Sequence, residues 1–260
     1  MLGVNRSSYQ YKAKEKDDQP IRNRLKELAE ARRRFGCPRL HVMLRREGFL
    51  VNHKRTERIY RDTGLTLAKR KRFRKRVGVQ RQLLERPSLP NQRWSMDFMA
   101  DRLWDGRKLK VLTIVDDYSR ECPAMEVDTS INGVRVTHVL ERIGQRRGLP
   151  KILVVDNGPE FAGKVLDEWA YRKGITLHFI RPGKPVENCY VESFNGKFRD
   201  ECLNEHWFVN LSHAREMVES WRIDYNEVRP HSSLGNLSPA EFARRNCCEN
   251  QQIQTAGNSK

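Results

Sequence analysis

Three acids in three different settings are the residues of this 260-residue chain best suited to chemistry. Asp97 lies inside the apolar stretch Trp94-Ser95-Met96-Asp97-Phe98-Met99. Asp156 ends the run Ile152-Leu153-Val154-Val155 and is followed at once by Asn157-Gly158-Pro159. Glu192 comes 35 intervening residues later, on a predicted helix after a Pro/Gly loop. A carboxylate inside or at the end of a buried strand costs several kcal/mol, on the order expected of an unpaired ion, unless its charge is compensated. A divalent cation is the usual compensation for clustered carboxylates, and metal-dependent phosphoryl transfer is the chemistry such a cluster supports. Each acid has a plainer explanation taken singly: a water-facing edge strand for Asp97, an Asx turn for Asp156, a solvated helix face for Glu192. The ordered set favours a shared site.

Elements able to position these acids follow from the pattern after residue 91. Residues 93–99 and 108–115 read as strands around the turn signal Asp105-Gly106, and 121–127 as a third strand after the turn Asp116-Asp117-Tyr118-Ser119. Residues 132–148 read as a helix with Val136, Val139, Leu140 and Ile143 inward. Residues 151–155 have the short β-branched composition of a buried parallel strand. A helix over 161–173 and a strand over 175–180 complete a mixed sheet covered by helices. On the helix bearing Glu192, the spacing puts Asn188, Glu192, Asn195 and Arg199 on one polar face beside the apolar stripe Val191, Phe194 and Phe198. Residues 211–225 read as another amphipathic helix, and Ser238-Pro239-Ala240-Glu241 as a capping box. Asp116 and Asp117 fit a β-turn, and Glu160 an early helix position where the dipole favours an acid. His178 and His231 lack metal-ligand spacing, so a strand partner and a loop contact are expected of them.

The first third of the chain is built differently. Residues 1–90 hold 26 Lys and Arg against nine Asp and Glu, whereas residues 91–260 hold 24 of each, so the whole formal charge of +17 belongs to the first part. That division points to a polyanion partner, nucleic acid above all. Three short helices are predicted over 20–31, 38–47 and 53–63, with Gly48 as a break and Asn52 as an N-cap. The third carries Lys54, Arg55, Arg58 and Arg61 outward and Ile59 inward, which suits a helix-turn-helix, with Lys54, Arg55 and Arg58 as DNA contacts. The run Lys69-Arg70-Lys71-Arg72-Phe73-Arg74-Lys75-Arg76 cannot bury itself and is expected to order on phosphates. No apolar run approaches a membrane span, and no secretory signal is evident at the N-terminus. Six cysteines without a CxxC pair argue for reduced thiols and against a disulfide framework or cysteine zinc site.

The residues Trp94-Ser95-Met96-Asp97-Phe98, Val115-Asp116-Asp117-Tyr118-Ser119-Arg120, Asp156-Asn157-Gly158-Pro159-Glu160-Phe161, Pro182-Gly183-Lys184-Pro185 and Glu192-Ser193-Phe194-Asn195-Gly196 resemble the retroviral-integrase-like transposases. The likeness is to the second-frame protein (OrfB) of the bacterial insertion sequence three family, extended by Tyr225-Asn226, Arg229-Pro230-His231 and Leu237-Ser238-Pro239. The resemblance implies an α/β, RNase H-like mixed five-stranded sheet flanked by helices, preceded by a small all-α helix-turn-helix domain. The expected boundaries are a segment 1–19, the helix-turn-helix 20–66, a basic linker 67–90, the integrase-like catalytic domain 91–245 and a disordered tail 246–260. It implies that Asp97, Asp156 and Glu192 converge on two Mg²⁺ ions, which Mn²⁺ can replace, for cleavage and strand transfer at insertion-sequence ends. Arg199 is then a DNA contact, joined by Lys184 and by Asn188 and Asn195. The implied partners are double-stranded DNA (terminal repeats and target), further copies of the chain, and an upstream-frame protein supplied separately or by frameshift fusion. The implied place is a bacterial cytoplasm, on the nucleoid. Glu187 departs from the family in standing where relatives often have an amide. The rival readings are a DNA-binding regulatory or inactive fragment, and a plain metal nuclease that does not join strands.

Overall fold

The computed structural model describes residues 17–67, 85–181 and 188–246. The chain divides into two compact units, residues 1–73 and 74–260. The expectations for Lys69, Arg70, Lys71, Arg72, Lys184, Glu187 and the tail beyond residue 246 lie outside the described residues.

The small unit is three helices, α1 (Gln19–Ala31), α2 (Cys37–Arg46) and α3 (His53–Asp62). Ile21, Leu25 and Leu28 form the inward stripe of α1 and meet Leu40, Leu44, Ile59 and Tyr60 in one core. Each such aliphatic side chain contributes roughly 1.5–3 kcal/mol on burial. Pro38 lies in the first turn of α2, where its missing N–H is not needed. The side chain of Asn52 accepts the Lys54 N–H at the start of α3. Gly48 and Gly64 follow α2 and α3 in the left-handed region, with φ of 89° and 70°.

The large unit is built on a five-stranded sheet in the order β3-β2-β1-β4-β5. The strands β1 (Arg93–Arg102), β2 (Lys108–Asp116) and β3 (Ala124–Asp128) form an antiparallel meander. Then β4 (Ile152–Val155) pairs parallel with β1, and β5 (Thr176–Phe179) parallel with β4. Helices α4 (Gly133–Arg147) and α5 (Lys164–Lys173) follow β3 and β4, and α6 (Cys189–Phe198) and α7 (Leu211–Glu227) come after β5. Period-two alternation gives the sheet two apolar faces. Trp94, Met96, Leu112, Ile114, Leu153 and Val155 pack with α4 and α5. Met99, Val111, Val115, Met125 and Val127 pack with α6 and α7. Asp97 is in phase with Met99, so it belongs to the α6 side.

Three boundaries differ from the expected ones by three residues. The third strand begins at Ala124 rather than at 121, because the Cys122 peptide group is bonded on both sides by the Asn226 amide and Pro123 has no N–H to give the ladder. Helix α5 begins at Lys164 rather than at 161. The N–H groups of Phe161 and Ala162 both return to the Gly158 carbonyl in a separate turn. Glu160 therefore sits in that turn and not at an early helix position. Strand β1 runs on to Arg102, three residues past its expected end. After a short 3₁₀ turn at Ser232–Leu234, a last helix spans residues 239–246. It is opened by a reciprocal box in which the Ser238 N–H donates to the Glu241 carboxylate at 2.7 Å and the Glu241 N–H to Ser238 Oγ at 3.3 Å. Among the described residues no helix is long and apolar enough to cross a membrane.

Candidate active site on the sheet

Parallel pairing brings the first two acids together. Ser95 on β1 is level with Val154 on β4. Two residues beyond this last pair come Asp97, still within β1, and Asp156, the residue just after β4. Asp97 is half-buried. Its Oδ1 accepts the Phe98 N–H and its Oδ2 accepts the Asn195 side-chain amide, each at 2.8 Å. The Thr113 hydroxyl on β2 donates to the Asp97 carbonyl at 3.1 Å. Asp156 turns its Oδ1 onto the Gly158 N–H at 3.0 Å. A Cβ at position 158 would lie 2.9 Å from that oxygen, so glycine is what lets the turn close on the acid.

The third acid arrives on α6. Val191, Phe194 and Phe198 are buried against the sheet and fix the rotation of this helix, leaving Glu192 in its first turn with an exposed carboxylate. Burial pushes the Asp97 carboxyl above its ordinary range, and the negative charges of Asp156 and Glu192 push it the same way. The hydrogen bonds from Phe98 and Asn195 oppose the shift without cancelling it. Burial also raises Glu192. The three acids thus share one region of negative potential. Among the described residues no three His, Cys, Asp or Glu side chains are close enough to form a ready metal cage. Three carboxylates are nevertheless the kind of donors that suit a hard divalent cation such as Mg²⁺.

The remaining expected site residues fall in several places. Asn195 is buried, and its amide serves Asp97 rather than facing outward; its Oδ1 is buried without a hydrogen-bond partner. Asn188 is also buried, at the N-cap of α6, and its Oδ1 likewise has no partner. Arg199 is exposed and opens a π-helical segment, Arg199–Leu203, with one guanidinium N–H on the Ala100 carbonyl of β1 at 3.2 Å. In the small unit Lys54 is exposed. Arg55 and Arg58 both bind Asp18, at 2.7 and 2.5 Å, and Arg61 pairs with Glu57. The Arg58 and Arg55 guanidiniums hold the Asp18 carboxyl below the usual carboxylate range.

The acids set aside on sequence have structural partners. Asp116 accepts the N–H groups of Asn91, Tyr118 and Ser119, as its turn requires. Glu160 pairs with Lys110, whose ammonium lies 4.2 Å from the centre of the Phe98 ring. His231 binds the Arg229 carbonyl through Nδ1 and stands edge-on to the Tyr225 ring, while His178 lies on β5. Asp117 does more than make a turn. It is buried, with Arg93 Nε donating to one carboxylate oxygen at 2.5 Å and the Ser95 hydroxyl to the other at 2.7 Å. Burial pushes its carboxyl up to about 6 despite these bonds. Sequence reasoning missed this polar line. Its signal was the alternation of Arg93, Ser95 and Asp97 in an otherwise apolar strand.

The matches to known proteins follow the same division. A family model described as an integrase core domain matches residues 87–185, a second one of that description matches residues 173–239, and an HTH-like domain matches residues 15–73. The chain is 50% identical over 246 residues to an uncharacterized 31.7 kDa protein of insertion element IS407 from Burkholderia multivorans, covering 94% of this chain and 88% of that protein. It is 26% identical over 231 residues to the transposase InsF for insertion sequence IS3A of Escherichia coli, covering 84% and 80%. Among solved structures, a chain of the simian T-cell lymphotropic virus intasome in complex with PP2A regulatory subunit B56 gamma aligns with a TM-score of 0.55 at 14% identity, over 84% of this chain and 74% of that one. That likeness is one of fold: a mixed five-stranded sheet flanked by helices. The chain belongs to the insertion sequence three family of transposases, as the second-frame (OrfB) protein with an integrase core.

Proposed function

We propose that the chain cuts DNA at the ends of its insertion element and joins the exposed 3′ ends to target DNA, with Asp97, Asp156 and Glu192 as the catalytic acids. The observation that carries this reading is the parallel pairing of the strands that lead to Asp97 and Asp156, together with the bond from Asn195, on the helix of Glu192, to Asp97. Asp97, held at both carboxylate oxygens, would be a metal ligand together with Asp156 and Glu192. Two Mg²⁺ ions, or Mn²⁺ in their place, would supply charge neutralisation at the attacking and leaving oxygens of the scissile phosphate. Asn195 orients the Asp97 carboxylate through its amide, and the turn at Gly158 orients Asp156. The same three acids serve water or a DNA 3′-OH as nucleophile, because only the attacking oxygen differs. Arg199, exposed beyond Glu192, would contact a DNA phosphate. Lys54, Arg55 and Arg58 are the contacts of the HTH-like unit, with the basic run that includes Lys69, Arg70, Lys71 and Arg72 adding sequence-independent affinity. Lys184 is proposed as a further DNA contact, whereas Asn188, buried at the N-cap of α6, is not proposed as one. Two element ends must be paired, so the working form is an oligomer on DNA, acting in the bacterial cytoplasm alone or fused to an upstream-frame protein.

The test uses a labelled duplex carrying the element's terminal repeat, with Mg²⁺ and the full chain. Wild type is expected to produce nicked and joined strands, and Asp97→Asn and Glu192→Gln to lose at least a hundredfold of both while still binding the duplex. Binding with no strand breakage by wild type, alone and with the upstream-frame protein, would favour a regulatory DNA-binding protein. Nicking without joining would favour a plain nuclease.

A further inference from the structure

Helix α6 begins without the usual supports. Its N-cap, Asn188, makes no side-chain cap bond, and the buried Oδ1 of that residue has no partner. A helix start without a side-chain cap is prone to fray, yet Glu192 sits within this first turn.

Two cations hold the turn instead. The Arg120 guanidinium carbon lies 3.8 Å from the centre of the Tyr190 ring, and that of Arg93 lies 5.6 Å from it. Both arginines are themselves fixed. Arg93 donates to the buried Asp117 carboxylate, which the Ser95 hydroxyl also binds. Arg120 donates to the Asp117 carbonyl at 2.5 Å. Its backbone has φ of 65°, a left-handed conformation that side chains other than glycine rarely take. Such a conformation persists where the surroundings over-determine it. Arg93, Ser95 and Asp97 succeed one another on one face of β1, so the strand that presents the first acid also anchors this assembly. At the far end of the same helix stretch, Asn195 is bonded to Asp97. Glu192 lies between the two attachments, two residues after Tyr190 and three before Asn195.

We propose that Arg120 and Tyr190 are positioning residues, a cation-on-ring clamp that fixes the first turn of α6 and so sets where Glu192 stands relative to Asp97. The inference rests on the proposed role of Glu192 for its functional meaning, while the clamp itself is a statement about α6. Tyr190 acts through its ring face, and Arg120 through a guanidinium plane held by the turn after β2.

The experiment compares full-length wild type with Tyr190→Phe, Tyr190→Leu and Arg120→Gly. Glycine at 120 accepts the backbone conformation without strain, so it removes the clamp and spares the turn. Two readouts are taken: amide hydrogen exchange of peptides spanning residues 188–196, and nicking of the terminal-repeat duplex as a function of Mg²⁺ concentration. Tyr190→Leu and Arg120→Gly are expected to exchange at least tenfold faster in 188–196, with β1 and β4 unchanged, and to need at least tenfold more Mg²⁺ for half-maximal nicking. Tyr190→Phe keeps the ring and is expected to match wild type in both. Unchanged exchange in Tyr190→Leu and Arg120→Gly overturns the clamp, as does faster exchange spread evenly across the sheet. A fall in rate at an unmoved Mg²⁺ midpoint overturns its link to Glu192. If wild type does not cut DNA, alone or with the upstream-frame protein, the proposed function fails, and the exchange data alone decide whether the clamp exists.

Discussion

Asn195 shows how much one amide can decide. Its Nδ2 donates to an Asp97 carboxylate already raised by burial and by two neighbouring acids. A hydrogen bond to a charged group contributes roughly 1.5–3 kcal/mol, so Asn195→Ala is expected to slow single-turnover cleavage roughly ten- to hundredfold. Asn195→Asp adds a fourth negative charge and is expected to do worse than alanine, a ranking read from the same assay at saturating DNA. The thiols offer a test that needs no DNA. Burial pushes Cys122 and Cys202 up to about 12, so little thiolate forms at pH 8. Iodoacetamide followed by peptide mass spectrometry is expected to label exposed Cys189 in the native chain, and Cys122 and Cys202 only in denaturant. The three acids were legible in the sequence because each interrupts a recognisable context: an apolar strand, a strand end before Asn-Gly, a helix after a loop. The partner of Asn195 was not legible. Helical spacing places it near the face of Glu192, but spacing says nothing of what lies across, and Asp97 is 98 residues away in the chain.

Elements were read most accurately where local chemistry marks their ends. The Asn52 cap, the glycines after α2 and α3, and the Ser238–Glu241 box all sit where the sequence put them. Boundaries were misplaced where a competing bond leaves no mark in the hydrophobic pattern: the distant Asn226 amide captures the peptide group of Cys122, and the nearby Gly158 carbonyl gathers the N–H groups of Phe161 and Ala162. Helix α3 presents another distant intervention. Asp18 binds Arg55 and Arg58 together, so a phosphate must displace a carboxylate to reach them. Asp18→Asn is expected to raise duplex affinity several-fold at 0.1 M salt and to steepen its salt dependence by up to about 0.9 per additional phosphate engaged. Fluorescence anisotropy across a salt series measures both, and an unchanged slope would remove Arg55 and Arg58 from the DNA contacts.

Across the whole chain the charge division was plain from composition, and the fold has two units, residues 1–73 and 74–260, with separate apolar centres. Leu40→Ala is expected to destabilise the small unit, and Leu153→Ala the large one, each by roughly 2–5 kcal/mol. Urea titration followed by hydrogen exchange should show each loss confined to its own unit. The two faces of the sheet were harder to foresee than its strands. Alternation tells which residues share a face, but not that the face of Met99 and Val111 is closed by α6 and α7, roughly 80 or more residues further along. That late closure has a genetic consequence. A copy of the gene interrupted at codon 211 still encodes every described strand and all three acids, yet it lacks α7. The Cys122 peptide loses both bonds to Asn226, and the face that Ala214, Val218 and Tyr225 cover lies open. Broken copies of the element are thus expected to yield insoluble, rapidly degraded chains rather than stable subunits that poison an intact transposase.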